Sequence, residues 1–282
     1  MSRTPIDHLP DATGLVRVID IPAGPDGEKI AAIFHGAMIP DAKHIHEAPD
    51  DREDRPATLV IMAHHAPGGH KSAENDIFGD LEHHLAHAGF DTIRFDFRGC
   101  GTSDGLPENT TLSTIRDDMA ALHKWALAEG YAQLVHIGDG IGALAVLLNM
   151  HEKVKAMVML WPVLRPAACY FAEAFAKLDE AEARGDKVIE LMGERVGVRL
   201  LRELQNLNIV KNLQELRIPV LVQHGENDQH IPTSQLDILK KHATRARRIE
   251  ITTYEGGTRG LRQLQERRTL FYHTRQFLNR YC

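Results

Sequence analysis

Short apolar runs rich in β-branched residues alternate along this chain with longer stretches of helical periodicity. The runs occupy residues 15–21, 30–34, 58–63, 91–97, 134–137, 156–160, 220–223 and 248–253. This alternation is typical of βαβ units, which place parallel strands in one sheet with helices on its faces. The first two runs have no helix between them and predict an antiparallel hairpin. The sequence therefore predicts an α/β fold built on eight strands.

The length and composition predict one domain with an insertion. A chain of 282 residues, 43% of them hydrophobic, is long enough to bury a large core. Within residues 165–216, apolar side chains recur at helical spacing, which predicts a small helical cap. The core is then divided into residues 1–164 and 217–282. The cap aromatics, such as Tyr170 and Phe171, either pack against the core or line a ligand pocket.

Charge and cysteine content exclude several classes of function. The net charge of -6, with basic and acidic residues interspersed, argues against nucleic-acid and membrane partners. Three scattered cysteines give neither a disulfide framework nor a zinc motif, and the first residues contain no apolar signal segment. We therefore expect a cytoplasmic protein without a cofactor. The polar, acidic stretch 39–55 predicts a solvated loop, with a docking segment as the alternative.

Four segments, in order, resemble the α/β-hydrolase superfamily. They are TLVIMAHHAPGGHK (58–71), IRFDFRGCGTSDG (93–105), LVHIGDGIGALAVLLN (134–149) and IPVLVQHGENDQHIP (218–232). The resemblance covers most of residues 57–280 and is strongest to the cap-bearing branch that includes serine aminopeptidases and monoglyceride lipases. It implies an α/β-hydrolase fold, a mostly parallel eight-stranded sheet flanked by helices, with a small helical cap.

The third segment resembles the nucleophile elbow of that superfamily but lacks a nucleophile. Read as GxSxG, it has Gly138 and Gly142 at the two small positions and Gly140 at the centre. A carboxylate nucleophile at Asp139 is an alternative. That register would put isoleucines at the two small positions, where side chains would clash across the turn, and is therefore disfavoured.

The acid and histidine positions of a catalytic triad are assigned by the same resemblance. Asp228 occupies the acid position, whereas the histidine position, after the eighth strand, aligns with Arg259. Arginine stays charged near neutral pH and cannot act as a general base. Because acid and histidine touch in this superfamily, we expect Asp228 and Arg259 to form an ion pair. Asp96 and Arg98 are expected to hold the turn of the second segment.

The elbow retains features that can bind a ligand. The resemblance implies backbone N–H donors near Ala66 and Ile141, with His65 as the loop histidine and Asp139 beside them. A helix N-terminus of this kind favours an anion such as a carboxylate or phosphate.

Three hypotheses about function follow. Loss of both serine and histidine favours a non-catalytic pseudo-hydrolase that binds a small molecule or a protein partner. The alternative is an atypical hydrolase or lyase that acts on a small ester, amide or thioester. In that case a histidine near a strand end would serve as base or bind a metal with Asp228; the candidates are His64, His65, His70, His224 and His230. The third hypothesis is that the protein is a structural scaffold whose crevice is filled by side chains. The sequence leaves the ligand and the oligomeric state undetermined.

Overall fold

A computed structural model describes residues 16–24, 27–38, 57–66, 69–72, 77–261 and 263–282. The acidic stretch 39–55 lies outside these residues, and its expected role stays a prediction. No helix in the described part of the chain is long and apolar enough to cross a membrane.

Eight strands form one twisted sheet. They are β1 (Val16–Pro22), β2 (Lys29–His35), β3 (Thr58–Ala63), β4 (Asp91–Phe95), β5 (Gln133–Asp139), β6 (Val154–Leu160), β9 (Pro219–Gly225) and β10 (Arg248–Tyr254). Their order is β1-β2-β4-β3-β5-β6-β9-β10. The β1–β2 and β2–β4 pairs are antiparallel and every other pair is parallel. All eight predicted strands are confirmed, each to within two residues at its ends.

Helices cover the sheet on both sides. Those in the core are α1 (Ile77–His87), α2 (Leu112–Ala128), α3 (Ile141–Leu148), α8 (Gln235–His242) and α9 (Leu264–Tyr281). The central strands covered in this way have almost no exposed residue, and all seven residues of β9 are buried. The parallel strands therefore all end at one edge of the sheet, where their following loops meet.

The segment between β6 and β9 is largely helical and also contains a small hairpin. Its helices are α4 (Phe171–Phe175), α5 (Leu178–Arg184), α6 (Val198–Gln205) and α7 (Val210–Glu215), and its strands are β7 (Val188–Leu191) and β8 (Glu194–Gly197). The two residues that join the strands, Met192 and Gly193, both have positive φ, as a tight hairpin turn requires. The sequence analysis did not predict this hairpin, because four-residue strands are too short to establish a clear alternation. Phe171 and Phe175 stack on each other within the core.

Candidate functional site

Gly140 forms the sharp turn between β5 and α3. Its φ of 56° and ψ of −113° lie in a region that side-chain-bearing residues rarely adopt. A Cβ atom on Gly142 would collide with the carbonyl oxygen of Ala63, and one on Gly138 would lie 2.5 Å from the Ala143 nitrogen. The strained position of the elbow is therefore residue 140, flanked by the two glycines that the close approach of strand and helix requires.

Two side chains occupy the space directly above Gly140. A Cβ atom at this position would collide with Nδ1 of His65 and would lie 2.9 Å from Nη2 of Arg259. His65 comes from the loop after β3 and Arg259 from the loop after β10. The fold thus brings both residues to the point from which a nucleophile side chain would project.

Arg259 pairs with Asp139 at the end of β5. Its Nη2 lies 3.3 Å from one carboxylate oxygen and 3.4 Å from the other, and both side chains are about one-fifth exposed, 22% for arginine and 20% for aspartate. Burial raises the pKa of Asp139, and the neighbouring guanidinium offsets part of that rise. Asp139 therefore acts as a partner of the arginine.

The prediction that Asp228 and Arg259 form an ion pair is wrong. No nitrogen of Arg259 lies within 4.0 Å of an Asp228 carboxylate oxygen, and one of these oxygens is hydrogen-bonded within its own loop instead. Oδ1 of Asp228 accepts the backbone N–H groups of His230 at 2.8 Å and Ile231 at 2.9 Å. The arginine instead extends across the carboxyl edge of the sheet, past β9 and β6, and pairs with Asp139 at the end of β5. Oδ2 of Asp228 is buried and has no hydrogen-bond partner among the described residues.

His65 is held by a tyrosine from the segment between β6 and β9. Its Nε2 lies 3.1 Å from the hydroxyl of Tyr170, while its Nδ1 has no partner in the described structure. Burial, and then the positive charge of Arg259, hold the pKa of His65 well below its usual range, so the ring is neutral at pH 7. Burial also raises the pKa of Tyr170. The sequence marked Tyr170 only as one of several cap aromatics.

The loop after β3 is fixed by polar contacts in its interior. The His64 ring bonds to the His65 carbonyl at 2.8 Å through Nδ1 and accepts the N–H of Phe97 at 3.1 Å through Nε2. Burial lowers its pKa to about 4, so His64 is a neutral structural residue. Ala66, which follows, is fully buried. Neither its N–H nor that of Ile141 bonds to another backbone group within the described residues.

The Arg-Gly turn after β4 is built around a buried carboxylate. Asp96 binds the ammonium of Lys71 at 2.5 Å and the backbone N–H of Thr102 at 2.8 Å. Lys71 is buried, and the sequence analysis did not single it out. Arg98 pairs with Asp118 and Glu28. Asp96 and Arg98 therefore hold this turn, as the sequence predicts.

Neither Ser103 nor Cys169 is activated as a nucleophile. Ser103 donates its hydroxyl to the Asp96 carbonyl at 2.6 Å and accepts the Ala31 N–H at 2.8 Å. Burial raises the pKa of Cys169 to about 11, which keeps the thiol protonated. Among the residues that the structure covers, no three His, Cys, Asp or Glu side chains are placed to hold a metal ion.

Comparison with known proteins identifies the fold. No protein-family model matches the sequence, and no curated protein matches it. The structure resembles Est1E of Butyrivibrio proteoclasticus in its complex with ferulic acid, with a TM-score of 0.69 and 19% identity over 93% of this chain and 98% of that one. It also resembles the Pyrococcus furiosus esterase Pf2001 (TM-score 0.67, 16% identity, 95% and 93% covered) and mouse alpha/beta hydrolase domain-containing protein 10 (TM-score 0.67, 15% identity, 93% and 98% covered). The chain therefore has the α/β-hydrolase fold.

Proposed function

We propose that this protein is a pseudo-hydrolase that binds a small molecule at the elbow crevice without serine-hydrolase chemistry. The observation that carries the proposal is the occupancy of the space above Gly140. Where a nucleophile side chain would stand, the structure has His65 Nδ1 and Arg259 Nη2. Neither Gly140 nor Arg259 can perform the role that serine or histidine has in acyl transfer.

Several features favour a binding role over that of a scaffold alone. The Asp139–Arg259 pair is about one-fifth exposed, so a ligand can reach it. The crevice lies at the carboxyl edge of a parallel sheet, where ligands of open α/β folds bind. The similar B. proteoclasticus protein holds ferulic acid. A small molecule is therefore a better candidate than a protein partner.

A cytoplasmic location, expected from the scattered cysteines, remains part of the proposal.

The test is active-site labelling together with a substrate panel. We expect no labelling by a fluorophosphonate probe and no turnover of ester, amide or thioester substrates above background, because no activated hydroxyl stands at the elbow. Stoichiometric labelling of one serine would overturn the proposal. A catalytically competent serine hydrolase of the same fold serves as the positive control for both assays.

A second candidate is an atypical hydrolase or lyase that uses His65 as its base. In the tautomer whose proton is on Nε2 and is donated to the Tyr170 hydroxyl, the unpartnered Nδ1 above Gly140 is suited to accept a proton from water. Tyr170 would hold the ring through Nε2. This candidate predicts turnover that is lost in His65→Ala and retained in His87→Ala, an exposed histidine on α1. Wild-type turnover that survives His65→Ala argues against it.

A further inference from the structure

The guanidinium of Arg259 uses little of its hydrogen-bonding capacity within the protein. An arginine has five N–H donors; among the described residues, those of Arg259 engage Asp139 through Nη2, and the guanidinium also interacts with the Tyr170 hydroxyl. The contacts with Asp139, at 3.3 and 3.4 Å, are longer than the 2.7–2.9 Å typical of charge-assisted pairs. With a side chain that is 22% exposed, Arg259 has donors left for a ligand.

A second source of positive potential meets Arg259 at the same place. Helix α3 begins at Ile141, spans eight residues and has no side-chain cap. Among the described residues, the N–H of Ile141 has no backbone acceptor, so this donor and the positive end of the helix dipole face the elbow. Nδ1 of His65 lies above Gly140 beside them, and when the Tyr170 hydroxyl donates to Nε2, the neutral ring carries its proton on this unpartnered Nδ1 and can donate it to an anion. Together, the Arg259 guanidinium, the N-terminus of α3 and His65 favour the binding of a small anion above Gly140.

We propose that this place binds the carboxylate of a small organic acid, with the Arg259 guanidinium as its charged anchor. The assignment rests on the proposed function and names the ligand class for it. A planar guanidinium fork matches a carboxylate in geometry. Asp139 and Asp228 both lie within electrostatic range of the arginine, so a dianionic phosphate is repelled more strongly than a monoanion. A neutral ester or amide gains nothing from the arginine charge.

Charge balance in the crevice makes binding depend on pH. The groups that face Arg259 are Asp139 from β5, Asp228 and His224 from the end of β9, His65 from the loop after β3, and Cys169 and Tyr170 from the segment before α4. A ligand carboxylate beside Asp139 raises the pKa of that residue further, so binding takes up a proton there. The affinity therefore increases as the pH falls, until the ligand itself becomes protonated at about pH 4–5.

The experiment titrates the full-length protein with butyrate, butyramide and butylamine at pH 5.5 and pH 8, by calorimetry and amide chemical shifts. We expect saturable binding of butyrate, at least tenfold tighter than of the other two and tighter at pH 5.5. Arg259→Gln should weaken butyrate binding at least tenfold. The matched control is Arg248→Gln, an exposed arginine on β10, which should leave the affinity unchanged.

Three results would overturn the assignment: no saturable butyrate binding at either pH, equal affinity for butyramide, or unchanged affinity in Arg259→Gln. If Arg259→Gln does not fold, the amide chemical shifts of the wild-type protein test the assignment. Butyrate should move the amide signals of Ile141 and Ala66 and not those of residues far from the elbow. Turnover or fluorophosphonate labelling would refute the proposed function separately, because neither measurement involves butyrate.

Discussion

At the scale of single residues, position 140 decides what chemistry the elbow can support. Its backbone angles require glycine or a strained residue, and the space above it is filled by His65 and Arg259. In an active enzyme of this fold, the strain is accepted because it exposes a nucleophile. Here the glycine relieves the strain, and Arg259 lies beside His65 next to the point from which a nucleophile side chain would project.

A stability measurement tests this account of Gly140. We expect Gly140→Ala to lower the free energy of unfolding by about 1–3 kcal/mol, because the methyl group adopts a strained φ and meets His65. Gly79→Ala is the matched control, since that helical glycine has open space around its Cβ position. The control should raise stability by about 0.5–1 kcal/mol. Urea denaturation of both variants gives the comparison, and an unchanged stability in Gly140→Ala would contradict the assignment of strain.

A second residue-scale prediction concerns restored catalysis. Gly140→Ser combined with Arg259→His should give at best weak esterase activity, because catalysis needs the reacting groups held to within about 0.5 Å by their neighbours. His65 lies where the new serine must go. Initial rates on p-nitrophenyl butyrate, compared with each single variant, provide the test. Strong activity from Gly140→Ser alone would show that a base exists and that the histidine position was wrongly assigned.

At the scale of elements, one glutamine on α8 anchors the start of the segment between β6 and β9. Gln235 is fully buried and accepts the N–H groups of Leu164 at 2.9 Å and Arg165 at 2.5 Å. Its amide also donates to the carbonyls of Arg165 at 3.0 Å and Ala168 at 3.1 Å. Tyr170, which holds His65, follows directly along the chain. Gln235 therefore positions the entry to the cap relative to the crevice.

Removing this anchor should cost both stability and local order. Gln235→Ala leaves two backbone donors and two backbone acceptors without this partner, and the Leu164 N–H is buried, so we expect a loss of about 1–3 kcal/mol in the free energy of unfolding. Amide exchange at Leu164 and Arg165 should accelerate more than elsewhere. The control is Gln265→Ala on α9, an exposed residue whose change should have little effect. Equal exchange rates in Gln235→Ala and wild type would refute the anchoring role.

At the scale of the whole molecule, several histidines are buried in the neutral form. Besides His64 behind the crevice loop, His123 on α2 and His136 on β5 share a 2.9 Å contact between their Nε2 atoms, with nearly parallel rings. Burial lowers the pKa of His123 to about 4 and that of His136 well below its usual range. In the folded protein these imidazoles therefore stay unprotonated at pH values where the same histidines of the unfolded chain, with a pKa of about 6.5, bind a proton.

These lowered pKa values predict a loss of stability in mild acid. Between the unfolded pKa near 6.5 and the folded value of about 4, the unfolded state binds more protons, so the free energy of unfolding falls as the pH decreases. From pH 7 to pH 5 we expect a loss of about 2 kcal/mol each from His64 and His123. His123→Phe should have a shallower pH dependence, and the exposed His87→Gln should match wild type. A flat stability profile over this range would contradict the prediction.

The sequence by itself determined the eight strands, their mostly parallel arrangement with an antiparallel hairpin at the start, and the location of the elbow. These features depend on local signals: the alternation of apolar runs, and glycines at the positions where strand and helix approach most closely. Gly138, Gly140 and Gly142 could be assigned because a side chain at each of them clashes with backbone or neighbouring side chains. The assignment to one cap-bearing branch stays a prediction.

Only the tertiary structure decided which side chains meet in the crevice. Arg259 and its partner Asp139 lie 120 residues apart, and Tyr170 and His65 lie 105 residues apart. Analogy with the superfamily predicted Asp228 as the partner of Arg259, and this was wrong because a second carboxylate, Asp139, stands at the same edge of the sheet at the end of β5. That choice depends on the sheet register and on the path of the loop after β10, which no local pattern encodes. Nor could the position of His65 above Gly140 be predicted, since it follows from how three loops pack at one edge of the sheet.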